Sequence, residues 1–363
     1  MSQDLTDFIE VVTGESHLRV EDDLGDGFVR LRSSEAERRQ AQHDIRSTED
    51  IVIEMLRNAR DAGARSIFLA VARDGDKRLI TMIDDGSGIP QAMQERVFES
   101  RVTSKLDSVH LDRWGIHGRG MALFSIRSNV ERAQVVSSDK GKGSAFLVQS
   151  DTKVLSEKTD QSSMPLLAFD EAANLSVRGP RNINRTVIEF ALEEQNVCTV
   201  YLGSPTEIAA TLFAFGQATT VRGSRAFCRD VTELPLTKRL FFAGDPADFV
   251  SIAETLGLSL SQRSARRILD GDIEPISPVT ETLSIMGGTD DLPSKKKRHP
   301  EESDTYDARG LKISPEDLAD FSSQISQIYQ GLARDYYLDP AIQPNVTVRK
   351  DEIVVHIPVH KLR

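Results

Sequence analysis

Three clusters of polar residues and glycines in the first third of the chain have the residue types and the order of a nucleotide-binding site. The first places Glu54, Asn58 and Asp61 at positions i, i+4 and i+7. The second reads Asp-Asp-Gly-Ser-Gly-Ile over 84–89, and the third reads Gly-Ile-His-Gly-Arg-Gly over 115–120. Each cluster is also compatible with an ordinary helix boundary or turn, but their succession favours a single site.

The first cluster is predicted to lie on a helix. Ser47-Thr-Glu-Asp50 has the Ser/Thr-x-x-acid pattern of a helix start, and Gly63 is typical of the residue that follows a helix end. An apolar stripe at helical spacing lies between these signals, formed by Ile51, Val52, Met55, Leu56, Ala59 and Ala62. One face of this helix should therefore be buried.

The polar residues of this helix should line the edge of that buried face. Glu54, Asn58 and Asp61 share one arc beside the stripe, and Arg57 and Arg60 are expected further round, towards solvent. Two carboxylates and a carboxamide at such an edge are costly unless something satisfies them. A bound ligand would do so, and water would do so if the row were an ordinary solvated boundary.

The second cluster follows a predicted pair of strands. Residues 66–72 and 78–83 are rich in β-branched and apolar residues and are joined by Asp-Gly-Asp, which predicts a hairpin. The second strand runs directly into Asp84. Gly86 and Gly88 follow, and two spaced glycines allow a backbone to approach a ligand closely. A plain turn has the same composition.

The third cluster precedes a predicted helix that begins near 121. Gly115, Gly118 and Gly120 would present unpaired N–H groups to an anion at that helix start, although the same spacing occurs in ordinary loops. No Gly-x-x-x-x-Gly-Lys-Ser/Thr sequence occurs, which excludes a P-loop. A helix is predicted before this cluster, over 91–100, and further strands are predicted at 131–137, 144–149 and 186–192.

In this order the motifs resemble those of the GHKL ATPase superfamily, which includes gyrase B, large heat-shock chaperones, histidine kinases and MutL. The resemblance covers about residues 45–192. The motif order is most similar to MutL, whose Asp-Ala-Gly-Ala and Thr-Ser-Lys runs are matched at 61–64 and 103–105. The glycine motif is at least as similar to that of the chaperones, because Gly120 stands where MutL carries Ala.

The resemblance implies a site for ATP and Mg²⁺. Glu54 would be the general base that activates water, Asn58 would coordinate Mg²⁺ and Asp61 would support it. Asp84 would accept a hydrogen bond from the adenine amino group. The other residues that the resemblance assigns to the nucleotide are Gly86, Gly88, Ile89, Thr103, Lys105, Gly115, Gly118, Arg119 and Gly120, the last glycines forming a flexible lid over the phosphates.

Three positions are special within this resemblance. A final strand threonine that completes the adenine contacts is assigned to Thr186, with Ser144 as the competing choice. Asp85 stands where an Asn is usual and is expected to add a charge near the base. Arg119 stands where MutL has Glu.

Composition places these motifs in an ordinary globular protein. A chain of 363 residues is long for one core, so two domains are expected. The net charge of −11 argues against a surface that binds nucleic acid as a whole. Two cysteines, Cys198 and Cys228, are too few for a disulfide framework, and neither a signal peptide nor a membrane span is indicated. A cytoplasmic location is predicted.

The predicted fold class is α+β, with a GHKL-type α/β sandwich followed by a second α+β domain. The predicted boundaries are 1–46 for an N-terminal arm, 47–195 for the ATP-binding domain, 196–285 for the second domain, 286–310 for a flexible charged linker and 311–363 for a C-terminal helix and hairpin. Residues 248–272 are spaced like a helix-turn-helix around Gly257, with an ordinary helical hairpin as the alternative.

The leading functional hypothesis is a Mg²⁺-ATP-dependent conformational switch. Its expected partners are ATP, an unidentified protein client and, on ATP binding, a second copy of the chain. One alternative is an ATP-responsive regulator that binds DNA through 248–272. The other is a protein kinase of the same superfamily.

Overall fold

The computed structural model of the 363-residue chain describes residues 20–32, 35–104, 110–112, 115–117, 120–158, 160–169, 175–220, 230–282, 315–335, 338–342, 344–348 and 353–358. The chain divides into two compact units, residues 1–291 and residues 292–363.

The first unit alternates helices and strands. Within its described residues the helices are α1 (Glu35–Gln42), α2 (Thr48–Asp61), α3 (Ala122–Asn129), α4 (Ile183–Glu193), α5 (Pro205–Thr219), α6 (Pro246–Thr255) and α7 (Gln262–Leu269). Its strands are β1 (Val20–Gly25), β2 (Phe28–Leu31), β3 (Ser66–Asp74), β4 (Lys77–Asp84), β5 (Val102–Thr103), β6 (His110–Asp112), β7 (Gly115–His117), β8 (Arg132–Asp139), β9 (Gly143–Asp151), β10 (Leu166–Phe169), β11 (Leu175–Arg178) and β12 (Thr199–Gly203). Short 3₁₀ helices span Gln91–Met93, Arg96–Phe98, Val231–Glu233 and Leu236–Phe242.

A five-stranded mixed sheet lies at the centre of this unit, in the order β12-β3-β4-β9-β8. β12 pairs with β3 in parallel, and every other neighbouring pair is antiparallel. The predicted hairpin of 66–72 and 78–83 is confirmed as β3–β4. The predicted strands at 131–137 and 144–149 are confirmed as β8 and β9. The α+β fold class is confirmed.

Both faces of the sheet are covered, because side chains alternate between them along each strand. In β3, Ile67 and Leu69 pack into one apolar core with α2 and α4. Phe68 and Ala70 pack into a second core with α5, α6 and α7. The sheet is therefore sandwiched between two helical layers, and α2 lies in the first of them.

The domain boundary predicted after residue 195 falls inside this sheet. β12 lies beyond that boundary and pairs with β3, and α5 to α7 cover the second face. Residues 196–282 thus belong to the same compact unit as 47–195. The pairing of β12 with β3 joins segments that are far apart in the chain, so no local pattern in the sequence indicates it.

The helix that carries the first polar cluster is confirmed. The Asp50 carboxylate accepts hydrogen bonds from the backbone N–H groups of Arg46 (2.9 Å) and Ser47 (2.8 Å) at the helix start. At the other end Gly63 adopts a φ of +74°, the left-handed conformation that favours glycine. Ile51, Val52 and Leu56 are fully buried, as the apolar stripe predicts.

Two secondary-structure predictions in the first unit are wrong. Residues 91–100 form two separate 3₁₀ turns instead of one helix. Residues 186–192 lie in α4 instead of a strand. Thr-Val-Ile-Glu-Phe favours a strand by composition, but Asn182 caps a helix by accepting a hydrogen bond from the N–H of Arg185 (2.9 Å). The buried residues of α4 then recur at helical spacing.

The predicted helix-turn-helix consists of α6 and α7, which pack against each other and against the second face of the sheet. Gly257 lies in the turn at φ +77°, and its carbonyl accepts a hydrogen bond from the Thr81 hydroxyl of β4 (2.8 Å). Arg263, Arg266 and Arg267 of α7 are exposed. The turn is thus anchored to the sheet, as in a helical hairpin that covers a core.

The N-terminal segment packs on the unit. β2 pairs with β1 and with β5, so the described part of the predicted arm joins a small three-stranded sheet. Phe28 and Leu31 are buried there.

The second unit contains α8 (Pro315–Asp335) and an antiparallel hairpin of β13 (Asn345–Val348) and β14 (Ile353–His356). The Tyr329 hydroxyl of α8 donates a hydrogen bond to the carbonyl of Asp339 (3.2 Å). The predicted C-terminal helix and hairpin are confirmed. The predicted linker, 286–310, lies outside the described residues. None of the described helices is long and apolar enough to cross a membrane.

Candidate functional site

A cavity of about 660 Å³ lies beside α2 in the first unit, bordered by α1, α3 and the ends of β4 and β9. The predicted nucleotide contacts that line it are Glu54, Asn58, Asp61, Asp84, Gly88, Ile89, Thr103 and Gly120. Residues from all three sequence clusters are thus brought to one cavity. Lys105, Gly118 and Arg119 lie outside the described residues, and Gly115 begins β7.

The polar row on α2 faces the cavity, but one of its neighbours was misplaced by the sequence pattern. Arg57 was expected to face solvent; its side chain is only 4% exposed, and it lines the cavity. Its Nη1 lies 2.5 Å from Oε1 of Glu54, one turn earlier on the same helix. The guanidinium can be buried because a carboxylate compensates its charge, which helical periodicity alone does not reveal.

Arg60 was also expected to face solvent, and it too is largely buried. It bridges Asp61 (2.9 Å) and Glu194 (2.6 Å). Burial disfavours the Arg60 charge, but the hydrogen bond that Arg60 donates to Glu194 and the charge of Asp61 outweigh it, so the pKa of Arg60 is raised. The bridge fixes the Asp61 carboxylate at the end of α2.

Asp84 occupies the end of β4 at the floor of the cavity. It is 2% exposed, and its Oδ1 accepts a hydrogen bond from the N–H of Gly86 (2.8 Å), which orients the carboxylate. Ser144 stands opposite Asp84 in the β4–β9 ladder and also lines the cavity. A buried acceptor and a hydroxyl therefore lie side by side at this point.

The Ser144 hydroxyl belongs to a short hydrogen-bond chain. The Ser138 hydroxyl donates to the carbonyl of Gly143 (2.9 Å) and accepts from the N–H of Ile89 (2.7 Å). The two serine oxygens are 3.0 Å apart. Since the single hydrogen of Ser138 is used on Gly143, Ser144 must be the donor between them, and it offers a ligand only its acceptor lone pairs.

The assignment of Thr186 to the adenine is wrong. Thr186 lies on α4, its hydroxyl donates to the carbonyl of Asn182 (3.1 Å), and it does not line the cavity. The prediction relied on a strand at 186–192, which the structure replaces with a helix. The competing choice, Ser144, lies opposite Asp84 in the β4–β9 ladder and lines the cavity.

Gly86 and Gly88 are needed for contacts within the protein. A Cβ on Gly86 would stand 2.9 Å from the carbonyl oxygen of Ala62, at the end of α2. Gly88 has a φ of +73°, and a Cβ there would stand 1.8 Å from the carbonyl oxygen of Asp139. The loop after β4 is thus held between α2 and the β8–β9 turn. Gly88 also lines the cavity, whereas Gly86 does not.

The Asp85 side chain does not line the cavity. Its Oδ1 accepts hydrogen bonds from the N–H groups of Arg65 (2.7 Å) and Ser66 (2.8 Å) at the start of β3, and it is not a lining residue. The side-chain oxygen of an asparagine could accept the same two bonds. The prediction that Asp85, in place of Asn, adds a charge next to the ligand is therefore not supported.

A second ion pair at the cavity, formed by a buried arginine and a half-buried glutamate, was missed in the sequence. Arg101 is 3% exposed and pairs with Glu37 of α1, and both line the cavity. Its backbone has a φ of +62°; its N–H donates to the carbonyl of Gly120 (2.9 Å), and its carbonyl accepts from the N–H of Leu31 (3.0 Å). The glycine cluster, the N-terminal hairpin and α1 all meet at this residue.

Charge is unevenly distributed around the cavity. The carboxylates among the described lining residues are Glu37, Asp44, Asp50, Glu54, Asp61 and Asp84, and the guanidiniums are Arg57 and Arg101. An acidic, oxygen-rich lining suits a hard divalent cation such as Mg²⁺, which binds through one or two carboxylate or amide oxygens together with substrate phosphates. Asn58 and Asp61 offer such oxygens, so the residues present fit that ion.

Comparison with known proteins agrees with this geometry. Residues 43–153 match the family model described as histidine kinase-, DNA gyrase B- and HSP90-like ATPase. The chain is 33% identical over 153 residues to the DNA mismatch repair protein MutL of Prosthecochloris aestuarii, covering 42% of this chain and 23% of that protein. It is 31% identical over 132 residues to MutL of Shewanella loihica, covering 36% and 21%.

The resemblance to the GHKL superfamily, with MutL among its similar members, is thereby confirmed for residues 43–153. The match to MutL of Staphylococcus aureus is 33% over 123 residues, 33% of this chain and 18% of that protein. The chain spans less than a quarter of the length of these relatives.

Proposed function

We propose that the chain binds Mg²⁺-ATP in the cavity beside α2, hydrolyses it, and uses the cycle as a conformational switch. The observation that supports this most directly is that Glu54, Asn58 and Asp84, from separate sequence motifs, line one cavity. The family model that matches residues 43–153 is described as an ATPase, which supports ATP as the ligand.

Asp84 is the proposed acceptor for the adenine amino group. Its carboxylate is buried and oriented by the N–H of Gly86, and Ser144 offers acceptor lone pairs beside it. Guanine carries a carbonyl oxygen where adenine carries the amino group, so an acceptor here would meet another acceptor. The site should therefore select ATP over GTP.

Glu54 is the proposed general base, and Asn58 and Asp61 are the proposed supports for Mg²⁺. All three line the cavity from one side of α2. The bound ion would neutralise phosphate charge, which the acidic lining would otherwise repel. Glu54 would hold the attacking water and take its proton, a role that commonly contributes about a hundredfold to ten-thousandfold in rate.

The test is ATP hydrolysis and nucleotide binding measured together. Glu54→Ala should retain binding and lose about a hundredfold or more in turnover. Unchanged turnover in this variant would refute the general-base role, and a wild-type protein that binds no ATP would refute the function itself. Asp85→Asn is the matched control, since its carboxylate faces the start of β3 and not the cavity.

The switch is proposed to act through the glycine cluster. Gly120 lines the cavity, and its carbonyl accepts a hydrogen bond from the N–H of Arg101. The carbonyl of Arg101 in turn accepts a hydrogen bond from the N–H of Leu31 in β2. Movement of the glycine cluster over a bound triphosphate would therefore be passed to the N-terminal hairpin. We propose that this change governs association with a second copy of the chain and with a protein client.

Association can be tested by measuring molar mass by light scattering, with and without a non-hydrolysable ATP analogue. A monomer in both states would refute nucleotide-dependent dimerisation. Because the relatives are named DNA mismatch repair proteins, duplex DNA should be included in the same series as a candidate partner. We also propose that the protein is cytoplasmic, as the sequence predicts.

A further inference from the structure

Arg57 lies on α2 one turn after the proposed base, Glu54, and directly precedes the proposed metal ligand, Asn58, in the sequence. Counting from Glu54 as i, Arg57 is i+3 and Asn58 is i+4, and all three line the cavity. Residues three and four apart on a helix are neighbours on its surface. The Arg57 side chain is thus part of the cavity wall, next to the proposed base.

The environment of Arg57 is that of a buried cation held by one of the proposed catalytic groups. Its side chain is 4% exposed, and the Glu54 side chain is 21% exposed. A planar guanidinium presents a fork of donors that fits carboxylate and phosphate equally well. The contact that now goes to the Glu54 carboxylate could therefore pass to a phosphate that enters the cavity.

The proposed function places a phosphate at this point. In that function the terminal phosphate lies beside the water held by Glu54, and the Arg57 guanidinium contacts Glu54 and lines the same cavity. Resting on that function, we propose that Arg57 binds the terminal phosphate of the nucleoside triphosphate, and that Glu54 holds its guanidinium when that phosphate is absent.

Two consequences follow for the site. A diphosphate lacks the group that would draw Arg57 away, so Glu54 stays paired and the site distinguishes ATP from ADP. When a triphosphate enters, the guanidinium moves to the phosphate, and the Glu54 carboxylate becomes available to hold water. The proposed base, Glu54, is therefore released only when the terminal phosphate of a triphosphate is bound.

The first test compares a non-hydrolysable ATP analogue with ADP by calorimetry at saturating Mg²⁺. Arg57→Met should weaken the ATP analogue by about tenfold or more, the usual effect of losing a hydrogen bond to a charged group. ADP affinity should change little. Arg57→Lys keeps the charge without the planar fork, and its ratio of the two affinities should lie between those of Met and wild type.

Arg78→Met is the matched control for these variants. Arg78 is also a buried arginine paired with a carboxylate, that of Glu157, but it lies near the start of β4 and does not line the cavity. Its replacement should leave the ratio of ATP-analogue to ADP affinity unchanged.

A double-mutant cycle tests whether Glu54 and the phosphate share Arg57. Glu54→Gln removes the competitor for the guanidinium, so it should strengthen binding of the ATP analogue relative to ADP. That gain should be lost in the variant that also carries Arg57→Met. A gain of equal size with and without Arg57 would mean that Glu54 acts only by repelling phosphate, and the proposal would be overturned.

The outcomes separate this inference from the function on which it rests. If the wild-type protein binds neither nucleotide, the proposed function fails. If it binds both, and Arg57→Met weakens both equally, only the role of Arg57 fails. If Arg57→Met does not fold, the same ratio measured in Arg57→Lys decides, because an unchanged ratio there would exclude a specific contact with the terminal phosphate.

Discussion

Gly88→Ala separates a structural role of the loop after β4 from a ligand-binding one. Gly88 has a φ of +73°, and a Cβ would stand 1.8 Å from the carbonyl oxygen of Asp139. Asp139 ends β8 and pairs with Gly143 in the ladder to β9, so this carbonyl cannot simply turn away. An added methyl group must displace the loop or the turn.

The magnitude follows from two separate effects. A left-handed backbone costs an alanine about 1 kcal/mol more than a glycine. Forcing a methyl group into packed surroundings costs about 1–3 kcal/mol in addition. Gly75→Ala is the matched control, because Gly75 has a φ of +57° but nothing within 4 Å of its Cβ position. The control should therefore show the first effect alone.

Thermal unfolding of the two variants measures the difference. At about 2–4 °C per kcal/mol for a domain of this size, the difference of about 1–3 kcal/mol means that Gly88→Ala should melt about 2–12 °C below Gly75→Ala. Equal melting temperatures, with nucleotide binding lost only in Gly88→Ala, would refute the reasoning. That result would mean that the glycine serves the approach of a ligand, as the sequence motif alone suggests.

Four further predictions test other parts of the structure. Asp84→Asn should weaken ATP binding by roughly tenfold to a hundredfold by calorimetry, whereas Asp85→Asn should not. Ser144→Ala should weaken ATP binding, and Thr186→Val should not. Weaker binding in Thr186→Val alone would instead favour Thr186 as the adenine contact. Arg78→Met leaves the buried Glu157 carboxylate with the more distant guanidinium of Arg73, 3.8 Å away, and should cost up to about 3–5 kcal/mol in denaturant unfolding, with part of the loss recovered in a double variant that adds Glu157→Gln. Burial raises the pKa of the Cys198 thiol from 9.0 to about 11. Because the folded state holds this proton more tightly, its contribution to the free energy of unfolding is complete below about pH 9 and is lost as the pH rises towards about 11. This part of the pH dependence of unfolding should disappear in Cys198→Ala.

The candidate site was largely predictable where chemistry and helical periodicity coincide. Glu54, Asn58 and Asp61 line the cavity because an apolar stripe fixes which way α2 faces. Asp84 was found because a strand ends directly before it. These signals are local, so one sequence suffices to read them.

What the sequence did not predict depends on contacts between distant segments. Arg57 and Arg60 were assigned to solvent because charge usually implies exposure, but each is buried beside a carboxylate. Thr186 was misplaced because its neighbours favour a strand by composition, while the Asn182 cap and the apolar spacing of α4 favour a helix. The role of Glu37 at the cavity depends on how α1 packs, which no motif records.

The parallel pairing of β12 with β3 has a consequence for how the chain is made. During synthesis β3 leaves the ribosome long before β12, and Phe68 and Ala70 face a layer whose helices, α5 to α7, are translated later still. Until then β3 is an open edge with an uncovered apolar face, a state that favours aggregation. A chain that stopped at residue 153, where the family match ends, would remain in that state permanently. Synthesis of α5 to α7, and not completion of the polar and glycine motifs, therefore sets when this sheet can be covered on both faces.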